Sequence, residues 1–158
     1  MPLIPYNRSA AADYAARWAL SRNPVWADFT YFGGDCANFV SQCLHAGASR
    51  MNYTPDTGWY YRSLADRAPA WSGVRFLYRF LLRSSGSGPV GLESPLSSLL
   101  PGDPIFLSDG ARLYHSLLVL SPGADPLVAA HTDDSLLRPL SSYEAALIVP
   151  VRIAGVRP

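Results

Sequence analysis

An α+β fold is predicted, with N-terminal helices packed on a C-terminal antiparallel β-sheet, and three observations predict it. Apolar residues recur at helical spacing over residues 7–22, 36–46 and 73–83. Beyond residue 100 the pattern changes to short, β-rich runs separated by Gly, Pro and Asp. The helical and extended stretches are segregated rather than alternating, which argues against a βαβ succession.

Each element follows from its own residues. Over 7–22, Ala11, Tyr14, Ala15, Trp18 and Ala19 form one stripe, Asn7 or Ser9 can cap the start, and Asn23-Pro24 is a stop signal. Residues 25–34 are aromatic and irregular, and Gly33-Gly34 supplies backbone freedom before the next helix. That helix, 36–46, is expected to stop at Gly47. Residues 48–72, rich in Trp, Tyr, Pro and Gly, read as a long loop or a set of turns. Val74, Leu77, Tyr78 and Leu81 share a side of the third helix, and "RSSGSGPVG" after it reads as a flexible connection. Four strands are then expected, in "LLPGDPIFL", "YHSLLVL", "PLVAAH" and "AALIVPVRI".

Composition narrows the function. A chain of 158 residues, 49% of them hydrophobic, is expected to be one domain over 1–158 with a substantial core. With a formal net charge of +1 and 16% charged residues, it has no field suited to gathering nucleic acid. All 13 basic residues are arginine, which excludes lysine Schiff-base chemistry. No run is long and apolar enough for a membrane span. The first residues lack the charge and apolar core of a signal peptide, so the cytoplasm is the default compartment and the cell envelope or exterior the alternative for a chain whose leader was removed. Cys36 and Cys43 lie two helical turns apart, about 10 Å of rise, too far for a disulfide. With no Cys/His cluster at zinc spacing, neither a metal nor any other cofactor is called for. The oligomeric state is left open.

The chemistry is expected at Cys36. Phe39, Val40, Cys43 and Leu44 continue its helical face, so Cys36 starts the buried stripe while Cys43 packs deeper in it. With Asp35 as helix cap or electrostatic neighbour, the thiol sits where unpaired N–H groups favour an anion, and its pKa is expected to fall. His45 is half a turn out of phase and should face solvent. His115 leads an apolar strand, and a hairpin folded about Gly123 would place it across from His131 on one face. His115 can then take the Cys36 proton while His131 orients it; Asp133, in phase with His131, is the alternative orienting residue. A slip of one residue in that register would separate the histidines.

Nucleophile on a helix N-terminus, base on a strand and orienting group on the next strand is the order found in papain-like cysteine hydrolases. More narrowly, "YNRSAAADYAARWAL", "NPVWADF", "GGDCANFVSQCLHAGA", "GDPIFL", "HSLLVL" and "AAHTDD" resemble the amidase domain family of the NlpC/P60 and CHAP superfamily. The blocks span about residues 6–134 and depart from the family pattern at Ala48, where the usual ending is "AGG". The resemblance implies a papain-like NlpC/P60-type fold and a thiol hydrolase of amide bonds, often in peptidoglycan peptides. Cys36 would be its nucleophile and His115 its base, with His131 or Asp133 third. A peptide or glycopeptide is the expected partner, with Asn38, Tyr31 and Trp59 as candidate contacts; Asn38 is also placed to cap backbone groups. The rival readings are a catalytically silent peptide or cell-wall binding module and an acyltransferase using the same thioester.

Overall fold

Asn7 opens the first helix, its side chain accepting the Ala10 N–H at 3.1 Å. This helix, α1 (Arg8–Trp18), buries Ala11, Ala15 and Ala19, and its regular turns end well short of Pro24. The computed structural model describes residues 2–158. The second helix, α2 (Cys36–Ala48), runs through Gly47 and closes on Ser49, which is left-handed with φ 54°. Gly47 is therefore no stop: a Cβ there would fall 2.4 Å from the Tyr6 ring and 2.8 Å from the Asn7 carbonyl, so it permits α2 to approach the start of α1.

The segment expected as turns contains a short ribbon, β1 (Tyr61–Ser63) with β2 (Asp66–Arg67), and the one-turn helix α3 (Pro69–Ser72). The helix α4 (Val74–Arg83) follows, burying Leu77, Phe80 and Leu81. The supposed connection after it holds a strand, β3 (Gly88–Glu93). The four anticipated strands are β4 (Pro104–Ser108), β5 (Leu113–Ser121), β6 (Leu127–Ala130) and β8 (Leu147–Arg157). A sixth member, β7 (Ser135–Pro139), was not anticipated. The sheet order is β3-β8-β4-β5-β6-β7, antiparallel throughout.

One face of the sheet carries Phe106, Leu118, Ala129 and Val151 against Phe39, Val40, Cys43 and Leu44 of α2 and the alanines of α1. The opposite face carries Ile105, Leu107, Leu117, Val119, Val128 and Ala130, covered by Leu99 and Leu140 beside single 3-10 turns. Arg8 ties α1 to the sheet: Nη1 donates to Asp103 Oδ1 at 2.6 Å and Nη2 to the Ile153 carbonyl at 2.6 Å. Among the described residues no helix is long and apolar enough to cross a membrane.

Candidate active site

Gly33 and Gly34 turn the chain into α2 with φ of 95° and 100°, a conformation open to glycine but strained for other residues. Cys36 follows as the first residue of the helix, 7% exposed, and lines a pocket of about 420 Å³. The pocket is walled by the Gly33-Gly34 turn, by Ser72-Gly73-Val74 at the α3–α4 junction, by Tyr114 and His115 of β5, and by Thr132, Asp133, Arg138 and Tyr143. Cys36 and His115, distant in sequence, thus open onto one cavity.

Their electrostatics differ from the sequence expectation. Burial raises the Cys36 thiol pKa, outweighing the Ser116 backbone and hydroxyl and the Ala37 N–H, which favour the thiolate; the Asp35 charge raises it further. The helix N-terminus does not overcome that desolvation. Burial lowers His115 to about 4, with the Arg138 charge adding to the fall and Asp133 opposing it. The resting pair is a neutral thiol and a neutral imidazole. Among the described residues, the buried side-chain polar atoms without a hydrogen bond are Ser116 Oγ and Tyr143 Oη. Ser116 adjoins the thiol, and the Tyr143 ring lies 5.8 Å from that of His115. Unsatisfied buried hydroxyls are rare and call for a local reason.

The structure does not bring His131 to His115. The pairs Leu118↔Ala129 and Val119↔Val128 put Ser116, not His115, level with position 131, because the hairpin folds about position 124 (Ser121↔Leu127) rather than Gly123, and the bulge between Val119 and Ser121 recovers only part of that slip. His131 lies instead under α2, its ring stacked on Phe39 with centroids 4.0 Å apart. Nδ1 is 2.5 Å from Asp35 Oδ2 and Nε2 is 2.8 Å from the Trp18 carbonyl. Asp35 is fully buried and makes no side-chain cap; its carboxylate accepts from the Phe29 N–H at 2.8 Å and Asn38 Nδ2 at 2.9 Å. Arg22 Nε lies 3.5 Å from the same carboxylate.

Asn38 and Trp59 are corrected as substrate contacts by burial. Asn38 is 1% exposed; besides Asp35 it donates to the Ala27 carbonyl at 2.9 Å, and it accepts from Trp71 Nε1 at 3.0 Å. Trp59 is fully enclosed, donating to Ser41 Oγ at 3.0 Å and packed on Trp71 and Phe80. Tyr31 is 90% exposed beside the glycine turn but is not part of the pocket wall. His45 is half-buried among Trp26, Trp59 and Trp71 rather than solvent-facing, and burial lowers its pKa. Asp133 reaches the pocket, and its carboxylate stands 3.6 Å from Arg138 Nη1 without a bond to His115.

Sequence reasoning missed Thr132, whose hydroxyl accepts the Asp35 N–H at 3.3 Å and so fastens the β6–β7 turn to the cysteine loop. Thr132 and Asp133 both have positive φ, 66° and 60°, strained for a β-branched residue. It also missed Arg22, which spans Asp134 (2.7 and 3.1 Å) and Asp28 (3.2 Å), and Arg138, hidden with its strand. The "HTDD" quartet was the available signal for the first of these contacts.

An α+β domain with a cysteine at a helix start and a histidine across one pocket defines a class of candidate hydrolases rather than a single protein. The chain belongs to the family described as "Putative amidase domain", whose profile matches residues 5–153. It is 33% identical over 153 residues to an uncharacterized protein of Bacillus subtilis (strain 168), YhbB, covering 92% of this chain and 47% of that protein. The chain thus spans about half the length of that relative. No solved structure gives a significant match.

Proposed function

We propose that this amidase-family domain is a thiol-dependent hydrolase of papain-like type that cleaves amide bonds in peptides, those of peptidoglycan included. The observation that carries the reading is the shared pocket of Cys36 and His115. Because both groups rest neutral, attack begins with transfer of the Cys36 proton to His115 as the Sγ–carbon bond forms. The unpaired N–H groups of the first turn of α2 face the developing oxyanion. His115 returns the proton to the departing amine, leaving a thioester. Water then adds with His115 as base, releasing the acid and restoring the thiol. Asp133 is the charged group placed to favour the imidazolium during these steps. His131 supports the loop that presents Cys36 through its contact with Asp35.

A panel of muropeptides and peptide amides, assayed with the wild type and Cys36→Ala, tests the reading. Cleavage by the wild type and none by the variant is expected. Cleavage that survives the substitution removes Cys36 from the mechanism; binding without cleavage in both proteins makes the domain a binding module. With an added amine, an amide product in place of the free acid marks an acyltransferase.

A further inference from the structure

Arg138 is the cation of the pocket wall, and nothing in the mechanism above uses it. Its guanidinium lies over the Tyr143 ring, 3.7 Å from the centroid, with Nε donating to Ser142 Oγ at 2.7 Å and Nη2 to the Ser142 carbonyl at 3.1 Å. Stacking and two hydrogen bonds fix the plane of the fork. Nη1 is left over. Its one acidic neighbour among the described residues is Asp133, at 3.6 Å, beyond hydrogen-bond reach, with a side chain 91% exposed. An arginine held rigidly, with one edge unspent and only a loose, solvated counter-ion, is suited to accept an oxyanion from a ligand. Tyr143 connects that edge to the chemistry, since the same ring borders His115.

We propose that Arg138 is the carboxylate receptor of the Cys36 pocket, so that the preferred substrates are amides carrying a carboxylate next to the bond that is cut. The inference rests on the thiol-amidase reading and deepens it. The incoming carboxylate takes the open edge of Nη1, which Asp133 at 3.6 Å leaves without a hydrogen bond. Binding then has a second effect, because Arg138 lowers the basicity of His115 and a carboxylate seated on it offsets that field. The substrate anion therefore improves the base that its own amide needs, and an uncharged amide of equal shape lacks this help.

The test begins with alkylation, independent of any substrate. Rates of Cys36 modification by iodoacetate and iodoacetamide, and by the longer 3-bromopropionate and 3-bromopropionamide, are compared at one pH. The anionic-to-neutral ratio should fall roughly fivefold in Arg138→Gln, stay near wild type in Arg138→Lys, and rise in Asp133→Asn. A ratio unchanged in a folded Arg138→Gln protein overturns the proposal. Independently of thiol reactivity, N-acetylglutamate should raise the NMR titration midpoint of His115 in the wild type and leave it in place in Arg138→Gln; no shift in the wild type likewise overturns it. Matched peptides with Glu or Gln beside the scissile amide separate the two ideas. Equal turnover of both refutes the receptor, whereas no turnover of either, with the alkylation ratio and midpoint behaving as stated, refutes the amidase reading and leaves the receptor standing.

Discussion

His115 and His131 flank the same hairpin, yet their surroundings are opposite. Both ring nitrogens of His131 have partners within 2.8 Å, and Phe39 covers its face. The His115 ring has no hydrogen bond among the described residues; it is held by the Tyr114 and Tyr143 rings and opens onto a cavity. A histidine with every valence spent belongs to the scaffold, while one whose ring nitrogens have no protein partner and open onto a cavity is available for a proton. The difference teaches that partners, more than residue type or position on a strand, separate the two roles.

The sharpest way to break the comparison is to remove each ring in turn. His115→Ala should lower amide turnover by roughly a hundredfold to ten-thousandfold, measured as kcat/KM on the best substrate of the panel. His131→Ala should instead cost about 2 kcal/mol of stability in urea melts, through the groups it leaves unsatisfied, with turnover per folded molecule reduced far less. Equal losses of turnover would make His131 part of the chemistry. Asp35→Ala should exceed His131→Ala in destabilisation, at about 3–5 kcal/mol, since it strands Phe29 N–H, Asn38 and His131 together. A small change there would mean that the hub is not structural.

Acidity sharpens the contrast next. The folded-state pKa of His115 is depressed to about 4, below the unfolded value of about 6.5, so protonation favours the unfolded chain. Its contribution to stability is present above pH ~6.5 and is lost as the pH falls toward about 4. His115→Gln should therefore narrow the difference in urea midpoint between neutral and mildly acidic buffer. At the other limb, iodoacetamide should modify Cys36 with a midpoint above that of a free thiol, the direction set by its burial. A midpoint below it would restore the preformed thiolate that the helix start suggests. The smallest effect belongs to Tyr31→Ala, expected within about 0.5 kcal/mol of wild-type stability because the ring is exposed. A rise in KM would then make it a substrate contact outside the pocket wall.

The same contrast explains what could be read from the chain. The helical phase of 36–46 is local, and it correctly placed Cys43 in the core and Cys36 at the start of α2. The histidine register is not local: the hairpin folds one residue beyond Gly123, the bulge in β5 recovers only part of that slip, and no residue near Gly123 announces either. Strand β3, with Gly88, Pro89 and Gly91, looked like a linker because its stability comes from pairing with β8 at the far end of the chain. Strand β7 is short and mostly exposed, so its apolar signal is weak, and Arg138 disappeared with it. Asp35 matched the composition of a cap, but tertiary partners claimed its carboxylate.

The Thr132 hydroxyl on the Asp35 N–H joins positions 97 residues apart. During translation, Cys36 emerges long before the turn that braces it, by roughly ten seconds at ordinary elongation rates. For that interval the nascent chain carries a thiol without its histidine, its arginine or its pocket. The shared pocket is therefore completed late in synthesis, and a ribosome stalled before β7 would display the cysteine as an ordinary, undirected thiol.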